Sequence, residues 1–345
     1  MSKSSNPINV VIASYLEPEY IEQIRRVDER LKVIYRPDLI PAPRYAADHT
    51  GPARNLSPEQ ETEWAEILST AEVLFDFDYP HAARLPELAP QVKWIQATSA
   101  GIGQFVRRRQ YAERMPGCVF TTASGVHAIP LAEHVLMVLL IHYNNFLLAQ
   151  NQQRAHLWQR YAATDLQGRT LGVVGLGRIG SLVAKYARAL GMTVLGLDVS
   201  AREDVVDEYF APGQLHEMLP RCEAVVLTVP HTPETEGMIG ATELALLPRD
   251  AFLINIARGA VIQEPALIAA LQAGHLGGAA LDVAAEEPLP ADSPLWDLPN
   301  VIVTPHSAST SDRENQRLTD LFMDNLRRYL DGSPLRNVLN VELMY

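Results

Sequence analysis

The chain has 345 residues, of which 47% are hydrophobic and 20% charged, a composition typical of globular proteins. Its 29 Lys and Arg against 41 Asp and Glu give a formal net charge of −12, which disfavours nucleic acid or an anionic membrane surface as a partner. The length favours about two domains over one small module.

Short apolar and β-branched runs predict the strands of the first part of the chain. These runs lie at 8–13, 72–77, 92–98 and 119–122, with helix-like polar segments between them. Strands that alternate with helices imply a parallel sheet that is covered on both faces. Residues 36–60 contain five prolines, so we predict a surface loop there.

After Gly125 the pattern changes to longer elements. The apolar segment 131–148 predicts a helix packed between elements or subunits. Six later runs predict strands at 171–174, 193–197, 224–229, 251–256, 279–283 and 301–304. Helices between them, such as 179–190 and 264–273, indicate a doubly wound domain. An amphipathic helix is predicted over 313–330.

The sequence shows no membrane, targeting or metal signal, and we expect a cytoplasmic protein. Cys118 and Cys222 lie far apart without a CxxC motif, and we interpret both as buried apolar residues. The histidines show no metal-ligand spacing, so no metal is predicted. Packing or hydrogen-bonding roles are expected for His127 and His134, and a turn role or a place beside a cofactor for His231.

A glycine motif, GLGRIG, lies between a predicted strand and a predicted helix. Gly175 allows a tight turn, Gly177 lets the backbone approach a pyrophosphate, and Gly180 lets helix and strand pack closely. Asp198 ends the next strand, where a carboxylate accepts hydrogen bonds from ribose hydroxyls. Because its charge would face the 2′-phosphate of NADP, NAD is the predicted cofactor. Arg202 is interpreted as a solvated loop residue rather than a phosphate ligand.

Three later strands end in polar side chains, at the sheet edge where open α/β sheets bind ligands. Arg258, in NIARGAVI, would present a charged fork to a carboxylate. His306 follows the last strand, in TPHSAS. A carboxylate partner such as Glu287 favours the protonated imidazole, the form that donates a proton to a carbonyl.

These motifs resemble the D-isomer-specific 2-hydroxyacid dehydrogenase family over nearly the whole chain. The resemblance rests on GLGRIG with Asp198, VPHTPETEGMIG, NIARGAVI, ALDVAAEEPLP and TPHSAS, in the family's order. It implies an α/β fold in which a Rossmann doubly wound cofactor domain is inserted into a smaller flavodoxin-like substrate domain. The implied boundaries are 1–122 and 312–345 for the substrate-binding domain and 123–311 for the NAD-binding domain. A homodimer formed through the cofactor domain is also implied.

The resemblance further implies an NAD-dependent oxidoreductase that transfers a hydride between the nicotinamide and C2 of a small D-2-hydroxy or 2-oxo acid. His306 would be the acid/base, Glu287 its partner and Arg258 the clamp on the substrate. The backbone N–H groups that hold the substrate carboxylate would come from Ser99, Ala100 and Gly101. Further cofactor contacts are implied for Arg178 and Ile179 at the pyrophosphate, Pro230 and Thr235 at the cofactor's centre, Ala257 at the nicotinamide and Asp282 at the carboxamide.

Some features leave alternatives open. Asp282 also suits a strand-end residue that caps a turn. Gly103 and Gln263 depart from the acidic residues common in the family, which we expect to alter loop geometry without touching His306, Glu287 or Arg258.

For the substrate, a glyoxylate/hydroxypyruvate-type reductase is the first expectation. A phosphoglycerate dehydrogenase-like activity would draw on Arg107, Arg108 and Arg109, which we otherwise interpret as a solvated helix face. A third alternative is an NAD(H)-sensing binding protein similar to the C-terminal-binding-protein corepressors, although no extended disordered tail is evident.

Overall fold

A computed structural model of the protein describes residues 7–52 and 54–344. The chain divides into two compact units, one joining the chain up to Val126 with the chain from Thr310 onward, and one spanning His127–Ser309. Each unit is built on a parallel sheet. The α/β fold class predicted from the sequence is confirmed.

The first unit carries a parallel sheet with the order β2-β1-β3-β4-β5, the flavodoxin arrangement. Its strands are β1 (Ile8–Ile12), β2 (Leu31–Ile34), β3 (Val73–Phe75), β4 (Trp94–Gln96) and β5 (Val119–Thr121). Its helices are α1 (Pro18–Arg25), α2 (Pro58–Ser69), α3 (Leu85–Leu88), α4 (Gly103–Arg108), α5 (Tyr111–Arg114) and α12 (Glu314–Asp331). Because all strands are parallel, the residues that follow β1, β3, β4 and β5 share one edge of the sheet.

The proline-rich loop before α2 is anchored by a buried carboxylate. Asp78 is 1% exposed and accepts hydrogen bonds from Arg54 Nη2 at 3.0 Å, from Trp64 Nε1 at 3.0 Å and from His81 Nδ1 at 2.8 Å. A buried carboxylate with charged and neutral donors is stable only while those donors stay in place. Asp78 therefore fixes the end of this loop against α2 and the chain after β3.

The second unit carries a parallel sheet with the order β8-β7-β6-β9-β10-β11-β12, a doubly wound arrangement whose first strand, β6, lies inside the sheet between β7 and β9. Its strands are β6 (Thr170–Val174), β7 (Thr193–Leu197), β8 (Glu208–Phe210), β9 (Ala224–Leu227), β10 (Phe252–Asn255), β11 (Gly278–Leu281) and β12 (Val301–Val303). Its helices are α6 (Ala128–Tyr143), α7 (Phe146–Arg154), α8 (Arg178–Ala189), α9 (Leu215–Met218), α10 (Ala241–Leu246) and α11 (Glu264–Gln272).

Apolar side chains fill both faces of the second sheet. Val173, Val226 and Ile254 join α6 and α8 in one cluster, whereas Val225 and Leu253 belong to the cluster on the other face. Strands that are buried on both sides read as continuous apolar runs, which is why the sequence marks them clearly. The carboxyl ends of these strands, where the polar motifs lie, share one edge of the sheet.

Two features differ from the sequence prediction. The strands β2 and β8 were not predicted, because both are short edge strands with only partial burial. The predicted helix over 131–148 is two helices, α6 and α7, bent by 63° at a break where Asn145 has a left-handed backbone. In the described part of the chain no single helix is long and apolar enough to span a membrane. The bent pair of α6 and α7 reaches that length and apolar content only when its two helices are taken together.

Candidate active site

The glycine motif forms the turn from β6 into α8. Gly175 has φ +99°, and a Cβ on it would lie 3.0 Å from the Thr228 carbonyl carbon. A Cβ on Gly180 would lie 1.9 Å from the Gly175 oxygen, so helix and strand pack too closely for any side chain. By contrast, a Cβ on Gly177 would meet nothing within 4 Å, and no described side chain caps the first turn of α8. This open helix N-terminus fits the pyrophosphate of a dinucleotide.

Asp198 lies beside this turn at the end of β7. Its Oδ2 accepts a hydrogen bond from the Leu176 N–H at 2.5 Å, and its Oδ1 accepts one from the Ser200 N–H at 3.0 Å. The carboxylate is thereby fixed next to the glycine turn, as a ribose-binding carboxylate must be. Arg202 Nε lies 3.7 Å from Asp204 Oδ1, and both side chains are exposed.

The predicted cofactor residues Pro230 and Thr235 belong to one turn after β9. The Thr235 hydroxyl donates to the Pro230 carbonyl at 2.7 Å and accepts from the Thr232 N–H at 2.9 Å. Thr228, which the sequence analysis missed, donates from Oγ1 to the Gly175 carbonyl at 2.6 Å. This bond ties the end of β9 to the glycine turn.

The other two predicted contacts at the pyrophosphate differ in exposure. Arg178 is the exposed first residue of α8. Ile179 is half-buried and packs against the apolar cluster beneath the helix. Of the two, Arg178 has its side chain toward solvent, whereas Ile179 secures the start of α8 to the sheet.

Arg258 is held at the end of β10 by a buried asparagine that the sequence analysis missed. Asn255 accepts from the Ala257 N–H and donates to the Arg258 carbonyl, both at 3.0 Å. Arg258 Nη1 donates to the Ala257 carbonyl at 2.6 Å. Burial lowers the pKa of Arg258 and the charge of Glu287 opposes this, and an arginine remains charged at neutral pH in either case.

The loop after β11 packs directly on the Arg258 turn. A Cβ on Gly259 would lie 1.8 Å from the Ala284 carbonyl oxygen, so only glycine fits there. Glu287 Oε1 accepts from the Ala284 N–H at 3.2 Å, and Glu264 Oε2 accepts from the Ala285 N–H at 3.0 Å. These contacts shape the loop that presents Glu287.

His306 and Glu287 are brought together by the structure. His306 Nδ1 lies 2.8 Å from Glu287 Oε2, and their side chains are 45% and 40% exposed. The His306 N–H donates to the Asp282 carbonyl at 2.8 Å, and φ of His306 is 51°, in the left-handed region. A carboxylate at Nδ1 selects the ring form that is protonated there, so Nε2 is the nitrogen that can exchange a proton with a ligand.

Asp282 holds the turn that carries His306. Its Oδ1 accepts from Thr304 Oγ1 at 2.6 Å and from the N–H groups of Ser307 and Ala308, both at 3.0 Å. Three donors on one oxygen fix the backbone on both sides of the histidine. The turn-capping alternative considered for Asp282 is therefore realised, whether or not the residue also contacts a cofactor.

In the first unit, Ser99, Ala100 and Gly101 follow β4. The Ser99 carbonyl accepts from the Ala123 N–H at 3.1 Å, and the Gly101 N–H lies 3.3 Å from the Ser99 hydroxyl. Ala100 and Gly101 are exposed. The loop thus lies at the carboxyl edge of its sheet with Ala100 and Gly101 exposed.

The two departures from the family pattern have local reasons. A Cβ on Gly103 would lie 2.0 Å from the Met344 carbonyl oxygen, so the close approach of the backbone near the C-terminus excludes an aspartate there. Gln263 Nε2 donates to the Gly237 carbonyl at 3.1 Å and so braces the chain before α10. Gln263 also packs against Gly240, where an added Cβ would lie 2.8 Å from Gln263 Nε2.

The arginine run of α4 is only partly a solvated face. Arg107 and Arg108 are exposed, whereas the guanidinium of Arg109 lies 6.0 Å from the centre of the Phe105 ring. Neither Arg107 nor Arg108 forms an ion pair within the described part of the chain.

The two cysteines, His134 and His231 show no arrangement typical of a reactive thiol or a metal site in the described part of the chain. Burial raises the pKa of both Cys118 and Cys222 to about 12, which keeps these free thiols protonated. Burial lowers the pKa of His134, and His231 Nε2 lies 3.7 Å from Glu236 Oε2. Among residues 7–52 and 54–344, no group of three or more His, Cys, Asp or Glu could hold a metal ion.

Comparison with known proteins agrees with this geometry. The family model for the NAD binding domain of D-isomer specific 2-hydroxyacid dehydrogenases matches residues 136–308. A glycerate dehydrogenase of Methylorubrum extorquens is 34% identical over 292 residues, which are 80% of this chain and 90% of that protein. The chain belongs to the D-isomer specific 2-hydroxyacid dehydrogenase family. The resemblance seen in the sequence motifs is confirmed.

Solved structures of the family share the fold over almost their whole length. A D-isomer specific 2-hydroxyacid dehydrogenase family protein from Aeromonas salmonicida has a TM-score of 0.81 at 28% identity, covering 97% of this chain and 100% of that one. An NADPH-dependent glyoxylate/hydroxypyruvate reductase from Sinorhizobium meliloti, in complex with NADP and sulfate, has a TM-score of 0.76 at 26% identity, covering 98% and 100%. This 2-hydroxyacid dehydrogenase is thus an oxidoreductase with an NAD-binding domain, as predicted.

The glycine motif offers a matched pair of substitutions. In Gly177→Ala the new methyl group enters open space, so we expect normal thermal stability and NADH affinity reduced about tenfold, since the methyl occupies the path of the pyrophosphate. In Gly180→Ala the methyl meets backbone, so we expect a loss of about 3 kcal/mol of stability. Thermal unfolding and fluorescence titration with NADH measure both effects. Equal destabilisation by the two substitutions would contradict this assignment.

Proposed function

We propose that the enzyme reduces small 2-oxo acids, with glyoxylate and hydroxypyruvate as the first candidates, to 2-hydroxy acids of D configuration, and catalyses the reverse oxidation. The observation that carries the proposal is the 2.8 Å pairing of His306 Nδ1 with Glu287 Oε2 at the carboxyl edge of the NAD-binding sheet. The names of the similar proteins, glycerate dehydrogenase and glyoxylate/hydroxypyruvate reductase, support the substrate class.

Each residue has a separate part in the proposed mechanism. A bound nicotinamide dinucleotide supplies the hydride in reduction and accepts it in oxidation. His306 Nε2 donates a proton to the carbonyl oxygen in reduction and takes it back in oxidation. Glu287 accepts the Nδ1 hydrogen bond, so it orients the ring and keeps a hydrogen on Nδ1. Arg258 binds the substrate carboxylate and the carbonyl oxygen as a fixed cation.

The loop of Ser99, Ala100 and Gly101 is proposed to complete the substrate site. Ala100 and Gly101 are exposed, and backbone N–H groups can act as donors to a carboxylate without a side chain of particular identity. The exposed Arg107 and Arg108, a few residues further along the chain, keep a phosphoglycerate dehydrogenase-like activity as the second candidate.

NAD is proposed as the preferred cofactor. Asp198 is held beside the glycine turn by two backbone N–H groups, so its charge would lie close to the 2′-phosphate of NADP. The Sinorhizobium meliloti relative is NADPH-dependent, so membership of the family does not decide between NAD and NADP. The preference of this chain is therefore tested at Asp198.

A homodimer is proposed from the exposed apolar surface of the second unit. A second copy of the chain is the occupant that the family resemblance implies, and exposed apolar side chains are costly to leave in water. Trp158 is 98% exposed, and the other members are between 40% and 51% exposed. This surface comprises Ile129, Met137, Leu140, Phe146, Leu148, Leu157, Trp158 and Tyr161.

We also propose that the enzyme works in the cytoplasm. Cys118 and Cys222 are free thiols, which suits a reducing compartment.

The acid/base assignment predicts a graded loss of activity. NADH oxidation is followed with glyoxylate, hydroxypyruvate, pyruvate, branched 2-oxo acids and phosphohydroxypyruvate. His306→Gln should lower kcat by about 10²–10⁴-fold because the proton donor is lost, and Glu287→Gln by less. NADH affinity should stay unchanged in both variants. Turnover of no acid, together with NADH-dependent capture of peptides, would favour the NAD(H)-sensing alternative.

The cofactor proposal is tested at Asp198. We expect the wild-type enzyme to have a kcat/KM for NADH at least about tenfold above that for NADPH, the effect of one like-charge contact. Asp198→Ser should narrow this ratio mainly by improving KM for NADPH, whereas Arg202→Gln should leave it unchanged. A wild-type preference for NADPH would refute the assignment.

The dimer proposal is tested by mass in solution. Sedimentation of the wild-type protein should give twice the chain mass. A variant with Trp158→Ser and Leu157→Ser should dissociate at concentrations where the wild type does not, because two exposed apolar side chains are removed. Val199→Ser, at a 78% exposed position outside this surface, is the matched control. A monomeric wild type would exclude the proposal.

A further inference from the structure

Asp76 is a buried carboxylate directly after β3, at the same sheet edge as the 99–101 loop. Its side chain has no solvent exposure, and its N–H donates to the Gln96 carbonyl at 2.7 Å. Its backbone is left-handed, with φ 67°. An aspartate that is both desolvated and left-handed is costly to maintain, and residues with such strain cluster at functional sites.

The side chain of Asp76 is bonded to the residue that precedes the carboxylate-binding loop. Asp76 Oδ1 accepts from the Thr98 N–H at 3.4 Å, and Oδ2 accepts from Thr98 Oγ1 at 3.0 Å. Thr98 is itself 4% exposed, and Ser99 follows it directly. The Asp76 carboxyl group is therefore bonded to the residue directly before the loop whose N–H groups are proposed to bind the substrate.

No ion pair to Asp76 is found within residues 7–52 and 54–344. Desolvation raises its pKa to about 7, and the hydrogen bonds from the Phe77 N–H, Thr98 and Tyr79 only partly offset that rise. The carboxyl group thus changes charge near neutral pH, where an ordinary aspartate is fully ionised.

Several other titratable groups of the first unit are uncharged phenols or have partners of their own. Burial raises the pKa of Tyr79 and of Tyr111, so both phenols are uncharged. Asp78, two residues along, is bonded to Arg54, Trp64 and His81. On the β1 side of the sheet, His49 Nδ1 lies 2.6 Å from the Ser14 hydroxyl, and His49 Nε2 lies 3.8 Å from Glu314 Oε1.

We propose that Asp76 is a proton-linked binding residue, which takes up one proton from solvent when an anionic substrate docks on the N–H groups of Ser99, Ala100 and Gly101, and returns it on release. The inference rests on the proposed function of this loop. The ionised Asp76 carboxylate and the carboxylate of a substrate bound at residues 99–101 repel each other. Binding of the substrate therefore favours protonation of Asp76. In the protonated form, the Asp76 hydroxyl can donate to the Thr98 oxygen by reversing the existing 3.0 Å hydrogen bond.

The direction of the pH effect follows from linkage. The carboxyl pKa is lower in the free enzyme than in the complex, so the complex binds more protons. Substrate affinity is therefore highest below the free-enzyme pKa and falls by up to about tenfold per pH unit between the two pKa values. Above the pKa of the complex, affinity is constant again.

The experiment measures proton uptake directly, in a variant that lacks the His306 imidazole. Oxamate, a 2-oxo acid isostere, is titrated calorimetrically into NADH-saturated His306→Gln enzyme in buffers of different ionisation enthalpy. At pH 7 we expect uptake of about half a proton per oxamate. The double variant with Asp76→Asn should show none, and its affinity should stay constant between pH 6 and 9. Asparagine is the matched replacement because it keeps the shape and tolerates the left-handed backbone.

A second variant covers the case in which Asp76→Asn does not fold. Thr98→Val keeps the shape but removes a donor that lowers the carboxyl pKa. The pH at which oxamate affinity begins to fall should therefore move upward, by about one unit for a single hydrogen bond. Thr98→Ser, which keeps the hydroxyl, should leave that pH in place.

The outcomes separate this inference from the proposed function. Proton uptake that persists in Asp76→Asn, or an affinity curve that Thr98→Val leaves in place, overturns the role of Asp76, while turnover of 2-oxo acids by the wild type keeps the proposed function. If the NADH-loaded wild type neither binds oxamate nor reduces any acid of the panel, the proposed function fails and this inference fails with it.

Discussion

The hydrogen bonds to one oxygen of Asp282 hold the candidate site in its geometry. Thr304 Oγ1 and the N–H groups of Ser307 and Ala308 converge on this atom, and the Asp282 carbonyl accepts the His306 N–H. Together these bonds maintain a left-handed backbone at a histidine, a conformation that an unsupported chain would leave. The pairing of His306 with Glu287 depends on that backbone.

The same principle recurs at the neighbouring strand ends. Asn255 bridges the backbone around Arg258, Thr228 ties β9 to the glycine turn, and Asp198 is fixed by two N–H groups. In each case a short side chain at the end of a buried strand satisfies backbone groups that the sheet leaves open. These bonds thus restrain the loops that hold the candidate site residues, which limits the movement of their side chains.

The fold class was predictable because the central strands are continuous apolar runs separated by turn residues. The edge strands β2 and β8 were missed because partial burial leaves no such run. The bend between α6 and α7 depends on the left-handed Asn145, which hydrophobicity alone does not reveal. For the site, the placement of Glu287 and His306 after predicted strands and the family resemblance predicted that the two residues act together. The supporting roles of Asn255 and Thr304 were not predicted, because Asn255 bonds to backbone groups and Thr304 bonds to the end of a neighbouring strand. Asp76 was not predicted because its burial depends on tertiary packing.

Gly259 has a consequence for how such enzymes can change. The Ala284 carbonyl occupies the space where a Cβ of this residue would lie, so the Arg258 turn and the Glu287 loop are in direct backbone contact. A loop of different length or course after β11 would open a gap at Gly259 or collide with it. The course of the chain at Arg258 and the course of the loop that carries Glu287 are therefore coupled, so that neither can change without the other.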